Sequence, residues 1–273
     1  MNKLKVKHLA QILFILVASQ TVAAQLGFSH EIGVITGPTA FKSDFGERFD
    51  LETNAGNSGV GIGLVHYINF AYRADCNCYT TDNYFNDHFK LRTEISYNTA
   101  KLEHIGEYVQ PYRTSTNADK LRAHTGTANN LDIGMQIEYF PLSIRSFQAF
   151  GYKFAPFVSF GAHYVSYNPK VSTGYANGDT TNMSNFYAPW YTSNPNLSPN
   201  FPEPIDVTSG TTWSLVSSIG VRYKLSPLAD LMLDLRGQYY FSDWVDGLNH
   251  TLDSNKHNDW LVWLNFGYIY YLD

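Results

Sequence analysis

Residues able to do chemistry are plentiful in this chain, but they are poorly grouped. Nine histidines are scattered along it, none is followed two places later by serine, and no G-x-S-x-G elbow occurs. A serine hydrolase needs a base beside its nucleophile, so the pattern argues against that chemistry. His104, His124, His250 and His257 fall in segments that read as loops, with Asp243, Asp246 and Asp253. Scattered loop residues are weak evidence for catalysis, and the chain reads as a non-catalytic scaffold without a cofactor, with a lipid-modifying enzyme and a surface adhesion barrel as the alternatives. The string GVGIG, with Gly59, Gly61 and Gly63, resembles half of a dinucleotide fingerprint. Val60, Ile62 and Leu64 continue a strand there and no helix follows, so small residues in a narrow interior are the better account.

Cys76 and Cys78 stand in DCNCY. An oxidising compartment permits a bridge. In an extended strand their Cα atoms would lie near the upper limit for a disulfide, so bridging requires a turn. A local disulfide, two free thiols and, least favoured, half of a zinc site stay open.

The compartment is set by the amino-terminal segment. Lys3, Lys5 and Lys7 precede an apolar stretch from Leu9 to Ala18, and Val22, Ala23 and Ala24 come just before Gln25. This is the order of a secretory signal peptide, expected to span residues 1–24 and leave a mature domain of 25–273. The whole chain carries 19 basic and 24 acidic residues. Residues 1–24 contain three of the lysines and no acid, so the mature charge is 16 − 24 = −8, which disfavours nucleic acid as a partner. Aromatic and charged residues each make up 16%. A chain rich in aromatics without being hydrophobic overall suits a membrane barrel, in which only alternate residues face lipid.

Period-two patterning supplies the elements. Residues 129–139 set Leu131, Ile133, Met135, Ile137 and Tyr139 against Asn130, Asp132, Gly134, Gln136 and Glu138. The pattern recurs over 89–98 and 231–241, and five weaker segments cover 28–37, 58–72, 150–167, 211–223 and 259–272. The links between them alternate in length. Those at 73–88, 141–149 and 224–230 are the shorter, and those at 38–57, 99–126, 168–210 and 242–258 the longer. Such alternation predicts an all-β, eight-stranded antiparallel transmembrane outer-membrane β-barrel with both termini in the periplasm. The chain ends with its last strand, so no carboxyl-terminal peptidoglycan-binding domain is expected. His66 on the lipid side and Pro156 within the fifth segment predict bulges.

Eight strands leave an interior filled by side chains rather than water. The inward set reads as Glu31, Arg92, Glu94, Asp132, Glu138, Lys153, Arg222, Asp234 and Arg236, four positive and five negative groups. Near balance predicts an ion-paired plug and no open pore. Lys101, Arg113, Lys120 and Arg122, in the third link, could meet lipopolysaccharide phosphates as partners. The longest link combines Phe186, Tyr187, Trp190, Tyr191 and Phe201 with Pro189, Pro195, Pro199, Pro202 and Pro204. Stiffened and aromatic, it could fold over the barrel mouth.

The strings FSHEIGVITG (28–37), YRADCNCY (72–79), FNDHFKLR (85–92) and FPLSIR (140–145) resemble an outer-membrane barrel family of flavobacteria and other Bacteroidota. The EIG of Glu31 to Gly33, PFVSFGAHYVSYNPK (156–170) and FSDWVDGLN (241–249) resemble PorG-type barrels of the type IX secretion system. That resemblance implies a small barrel anchoring a periplasmic secretion-ring protein to the outer membrane. The ring would meet the turns holding Asp75, Cys76, Asn77 and Cys78, then Ser143 and Arg145, then Pro227 and Asp230.

Overall fold

The computed structural model describes residues 28–47, 50–70, 84–192, 204–250, 252 and 257–272. The signal segment, Cys76 and Cys78 lie outside them. The strands are β1 (Ser29–Lys42), β2 (Ser58–Asn69), β3 (Phe89–Glu103), β4 (His124–Tyr139), β5 (Phe154–Tyr167), the short β6 (Lys170–Thr173), β7 (Gly210–Ser226), β8 (Ala229–Tyr240) and β9 (Trp260–Tyr271). All pair antiparallel in the order β3-β2-β1-β9-β8-β7-β5-β4, and β3 pairs with β4 to close the ring. β6 pairs with β4 beyond the end of β5 and adds no stave. The result is an eight-stranded transmembrane barrel of the outer-membrane type, without an open edge in lipid.

The alternation is inverted relative to a soluble protein. Val60, Ile62, Leu64, Ile133, Met135, Ile219, Leu233, Leu235 and Phe266 point outward and are exposed, while Glu31, Arg92, Asp132, Arg222 and Asp234 point inward and are buried. Aromatic pairs mark both rims of the apolar belt, as amphipathic rings do at lipid–water boundaries. Phe89 packs on Tyr139 and Phe154 on Tyr223 near the rim that holds the termini, Tyr164 on Trp213 and Tyr239 on Trp260 near the other.

β3 and β4 run further than their patterns suggest. Beyond Tyr97 and Leu131 the outward positions become Lys101, Glu103, Thr125 and Thr127, and the inward ones Ala100, Leu102, Gly126 and Ala128. The alternation has switched sense because these residues stand above the lipid, so the outside meets water and the inside is an ordinary apolar core.

Neither expected bulge forms. β2 keeps unbroken register with β1 and β3, so His66 stays on the outer wall. It finds local partners there in His30 (3.0 Å between ring nitrogens) and Thr93 (3.2 Å). Pro156 lies beyond Val158, where the β4–β5 ladder ends, and pairs only with Val221 of β7. The irregularity falls instead between Lys224 and Ser226, beside the tight Pro227–Leu228 turn. Glycine also sets the lumen's width. A Cβ on Gly61 would lie 2.4 to 2.8 Å from the buried Trp263 ring, so only glycine lets that indole cross the interior.

Candidate functional site

The lumen is the first place where chemistry gathers. Arg236 grips both oxygens of Glu94 at 2.7 Å, and Arg92 meets the same carboxylate at 2.7 Å and Asp234 at 3.2 Å. Nearer the terminal rim, Glu31 takes Lys90 and Arg222 at 2.5 Å each, and Arg222 also reaches Glu138 at 3.1 Å. Asp132 accepts from Gln238 at 2.6 Å and Asn98 at 3.0 Å. The cations also lie against rings, Arg222 over Tyr67 at 4.1 Å and Lys224 over Tyr271 at 3.9 Å, where the ring quadrupole attracts them.

Eight of the nine predicted inward groups are therefore buried in this network, and Lys153 is not. Its parity is right, but it precedes β5 and lies below the rim, so its ammonium is exposed. Lys90 and Lys224 supply the missing positive charge. Asp230, read as a surface turn residue, is fully buried because the turn is only Pro227–Leu228. It meets Lys224 at 3.3 Å and accepts from the Tyr271 hydroxyl at 2.6 Å. Lys90, on the polar face of an identified strand, was legible by parity. Lys224 and Asp230 were hidden because the sixth segment stops at 223 and the seventh starts at 231, whereas β7 runs to Ser226 and β8 starts at Ala229.

Apolar layers seal this network from both sides. At the terminal rim the helix Ile144–Gln148 sends Ile144 and Phe147 inward onto Phe140, Tyr67 and Phe157. Ser143 caps it by accepting from the Ser146 N–H, and the Tyr152 hydroxyl donates to the Ser143 carbonyl at 2.5 Å. Burial, with the nearby Asp87 carboxylate, pushes that hydroxyl's pKa up to about 12, so it remains a donor at every physiological pH.

At the far rim the described parts of the long links form a cap. Phe41, Phe45, Leu102, Leu121, Phe186, Trp190, Val245 and Leu248 share one buried cluster. The FSDWVDGLN stretch ties it down. Buried Asp246 accepts from the backbone N–H of Asp44 (2.9 Å) and Leu248 (2.8 Å), and Gly247, at φ +83°, turns its carbonyl to the Asp206 N–H. His104 and His124 lie in the same cluster. The Gly46 N–H donates to His104 Nδ1, so Nε2 carries the proton and donates to His124 Nδ1 at 2.7 Å. Phe45 stacks on both rings and Trp190 on His250. Both ring nitrogens of His104 are thus committed to structure. Among the described residues no three His, Cys, Asp or Glu side chains converge to hold a metal ion.

Three of the four predicted lipopolysaccharide contacts are engaged by other residues of the cap, two of them within their own loop. Arg113 pairs with Glu107, and Arg122 pairs with Asp119 while donating to the carbonyls of Val109, Gln110 and Arg113. Lys120 is nearly buried, its ammonium over the Tyr175 ring. Lys101 remains exposed on the outer wall, and the ladder aligns it through Thr127 with exposed Lys170 of β6. Lys170 carried no sequence signal, since only the pairing of β6 on β4 brings it there.

No protein-family model matches the sequence, and none of the curated proteins is significantly similar to it. Solved structures resemble it in fold. The Neisserial surface protein NspA is 13% identical with a TM-score of 0.42, over 88% of this chain and 96% of that one. A major outer membrane protein of Thermus thermophilus is 14% identical with a TM-score of 0.44, over 89% and 99%. The Yersinia pestis attachment invasion locus protein Ail, solved with the heparin analogue sucrose octasulfate, is 11% identical with a TM-score of 0.40, over 90% and 99%.

Two expected outcomes follow from this geometry. Glu94→Gln leaves Arg92 and Arg236 short of their shared carboxylate, so urea unfolding in lipid vesicles should show a loss of about 3–5 kcal/mol. Glu94→Gln with Arg236→Gln should recover part of it, and a single variant as stable as the parent would show that the pairing contributes nothing.

The second concerns the cap. Burial, then neighbouring His124 and His250, holds the His104 pKa well below its ordinary 6.5. The opened cap therefore binds a proton that the closed cap refuses. The closed cap is favoured fully above about pH 6.5 and loses stability as pH falls below that value. Hydrogen exchange at residues 245–249, corrected for intrinsic rates, should be faster at pH 5 than at pH 7.5. Equal protection would remove His104 as the cause.

Proposed function

We propose that this chain is a non-catalytic scaffold of the outer membrane, acting through its two end surfaces rather than through its lumen. The observation that carries the reading is the doubly sealed interior, in which paired charges lie between two apolar layers. The short links and both termini face the periplasm, and the cap faces outward. Against catalysis stands the commitment of His104 to a backbone N–H and to His124, with no hydroxyl nucleophile on either of its nitrogens. Lys101 and Lys170, above the lipid belt, face the phosphates of surrounding lipopolysaccharide.

The finer reading, docking of a periplasmic ring as in PorG-type barrels of type IX secretion, rests on the sequence resemblance. Exposed Leu142, Phe150 and Leu228 on the terminal-rim links support it, and Phe150 holds a left-handed φ of 61° while presenting its ring to solvent. That conformation closes the helix end, the Phe150 N–H donating to the Phe147 carbonyl and the Gly151 N–H to the Ser146 carbonyl. The ordered cap favours a second reading, surface adhesion.

Two measurements test the proposal. Planar-bilayer recording of the pure protein should show no unit conductance, and stable openings would show that the lumen is not sealed. Photo-crosslinkers at Ser146 and Ala149 should capture a periplasmic envelope protein in cells, while one at Ala176 should not. Capture of a surface ligand from Ala176 alone would replace docking with adhesion.

A further inference from the structure

The cap encloses a cavity of about 200 Å³ between the β1–β2 and β3–β4 links. It is smaller than the ~300–1,000 Å³ of sites for drug-sized ligands, so its occupant is a small group. Tyr108, Tyr187 and Trp190 line it with Glu47, Asp44 and His104. Trp190 is buried and Tyr187 packs edge-on against it at 5.7 Å, while Tyr108 is more than half exposed at the edge.

Its charge is one-sided. Glu47 is half-buried and its carboxylate has no partner among the described residues. Asp44 accepts from the His250 backbone N–H. Glu47 also lines an adjoining hollow with Asp50, Glu52 and Glu107. The described cations nearby are turned to other work. Arg113 is held by Glu107, Arg122 by Asp119 and three carbonyls, and Lys120 lies over Tyr175. His104 is committed at both nitrogens and is kept neutral by burial. A metal ion is a poor fit, for lack of three converging ligands among the described residues.

We infer that this cavity binds a small organic ammonium group. Acidic side chains at the edge raise the local concentration of cations, the Glu47 carboxylate, without a partner among the described residues, offers the counter-charge, and the tyrosines of the wall, exposed Tyr108 above all, offer an aromatic surface to an ammonium. The ammonium could belong to a free amine or to a lysine side chain of another protein. This inference is independent of the docking reading, since a scaffold that docks nothing could still bind an amine here.

The test uses the full chain in detergent micelles, with intrinsic tryptophan fluorescence and calorimetry as readouts. Choline and N-acetyl-lysine amide are the ammonium probes, and 3,3-dimethylbutanol is the uncharged isostere of choline. At least one ammonium probe should bind saturably and the isostere at least tenfold more weakly, with affinity falling as salt rises. The tighter probe identifies the source, a free amine or a lysine side chain. Glu47→Gln and Tyr108→Ala, both at the cavity edge, should each weaken binding about three- to tenfold. Their unheated and heated gel mobilities should match those of the parent, which shows that the barrel is intact. Equal binding of the isostere, no saturable binding of either ammonium probe, or unaltered affinity in both variants would overturn the inference.

Discussion

Everything in this barrel depends on the Glu94 carboxylate being held by two guanidinium groups at once. Arg92 and Arg236 come from opposite parts of the ring, β3 and β8, and meet over one side chain. Charged groups this deeply buried cost several kcal/mol each unless they are paired. The pairing therefore fixes which residues face inward, and the period of two in each strand carries that choice to every outward position. A slip of one residue in β3 would place Arg92 and Glu94 in lipid and Leu91 and Ile95 in the lumen. The lumenal ion pairs thus specify register as much as they contribute stability.

The apolar layers at the ends complete the same arrangement. Ion pairs are strong only where water is scarce, and water is kept out by Phe140, Ile144 and Phe147 on one side and by Phe41, Leu102 and Tyr240 on the other. These layers are built differently. The terminal-rim layer is one short helix folded back into the opening. The far layer comes from several links far apart in sequence, which the Asp246 carboxylate and the Gly247 carbonyl help to join by accepting from the Asp44 and Asp206 backbone N–H groups.

How much could be read from sequence follows the solvent around each residue. Strands in lipid were legible because apolar and polar residues alternate with constant sense, so Leu131 to Tyr139 and Leu231 to Leu235 declared themselves and with them most of the inward charges. Strand ends were not, since β3 and β4 reverse their alternation once they leave the lipid and a single-sense pattern stops too early. Asp230 and Lys224 were missed for a different reason, because the segments 211–223 and 231–241 each stop one residue short of them. The cap was legible as composition, aromatic and proline-rich, but its pairings were not, because Asp44 and Asp246 lie far apart in sequence and meet only after the barrel has closed. Arg113, Lys120 and Arg122 mislead for a related reason, since sequence shows a charge but not the carbonyls and ring that occupy it.

The length of β4 has a consequence of its own. It runs for 16 residues, about 53 Å of chain at roughly 3.3 Å per residue, or about 37 Å in height at a tilt of about 45°. An apolar belt needs only about 25 Å, which leaves about 12 Å of strand height beyond that belt. The cap rests on this pedestal, raised above the apolar belt. A large object approaching from the cap's side of the membrane would meet the cap's edges before it met the lipid.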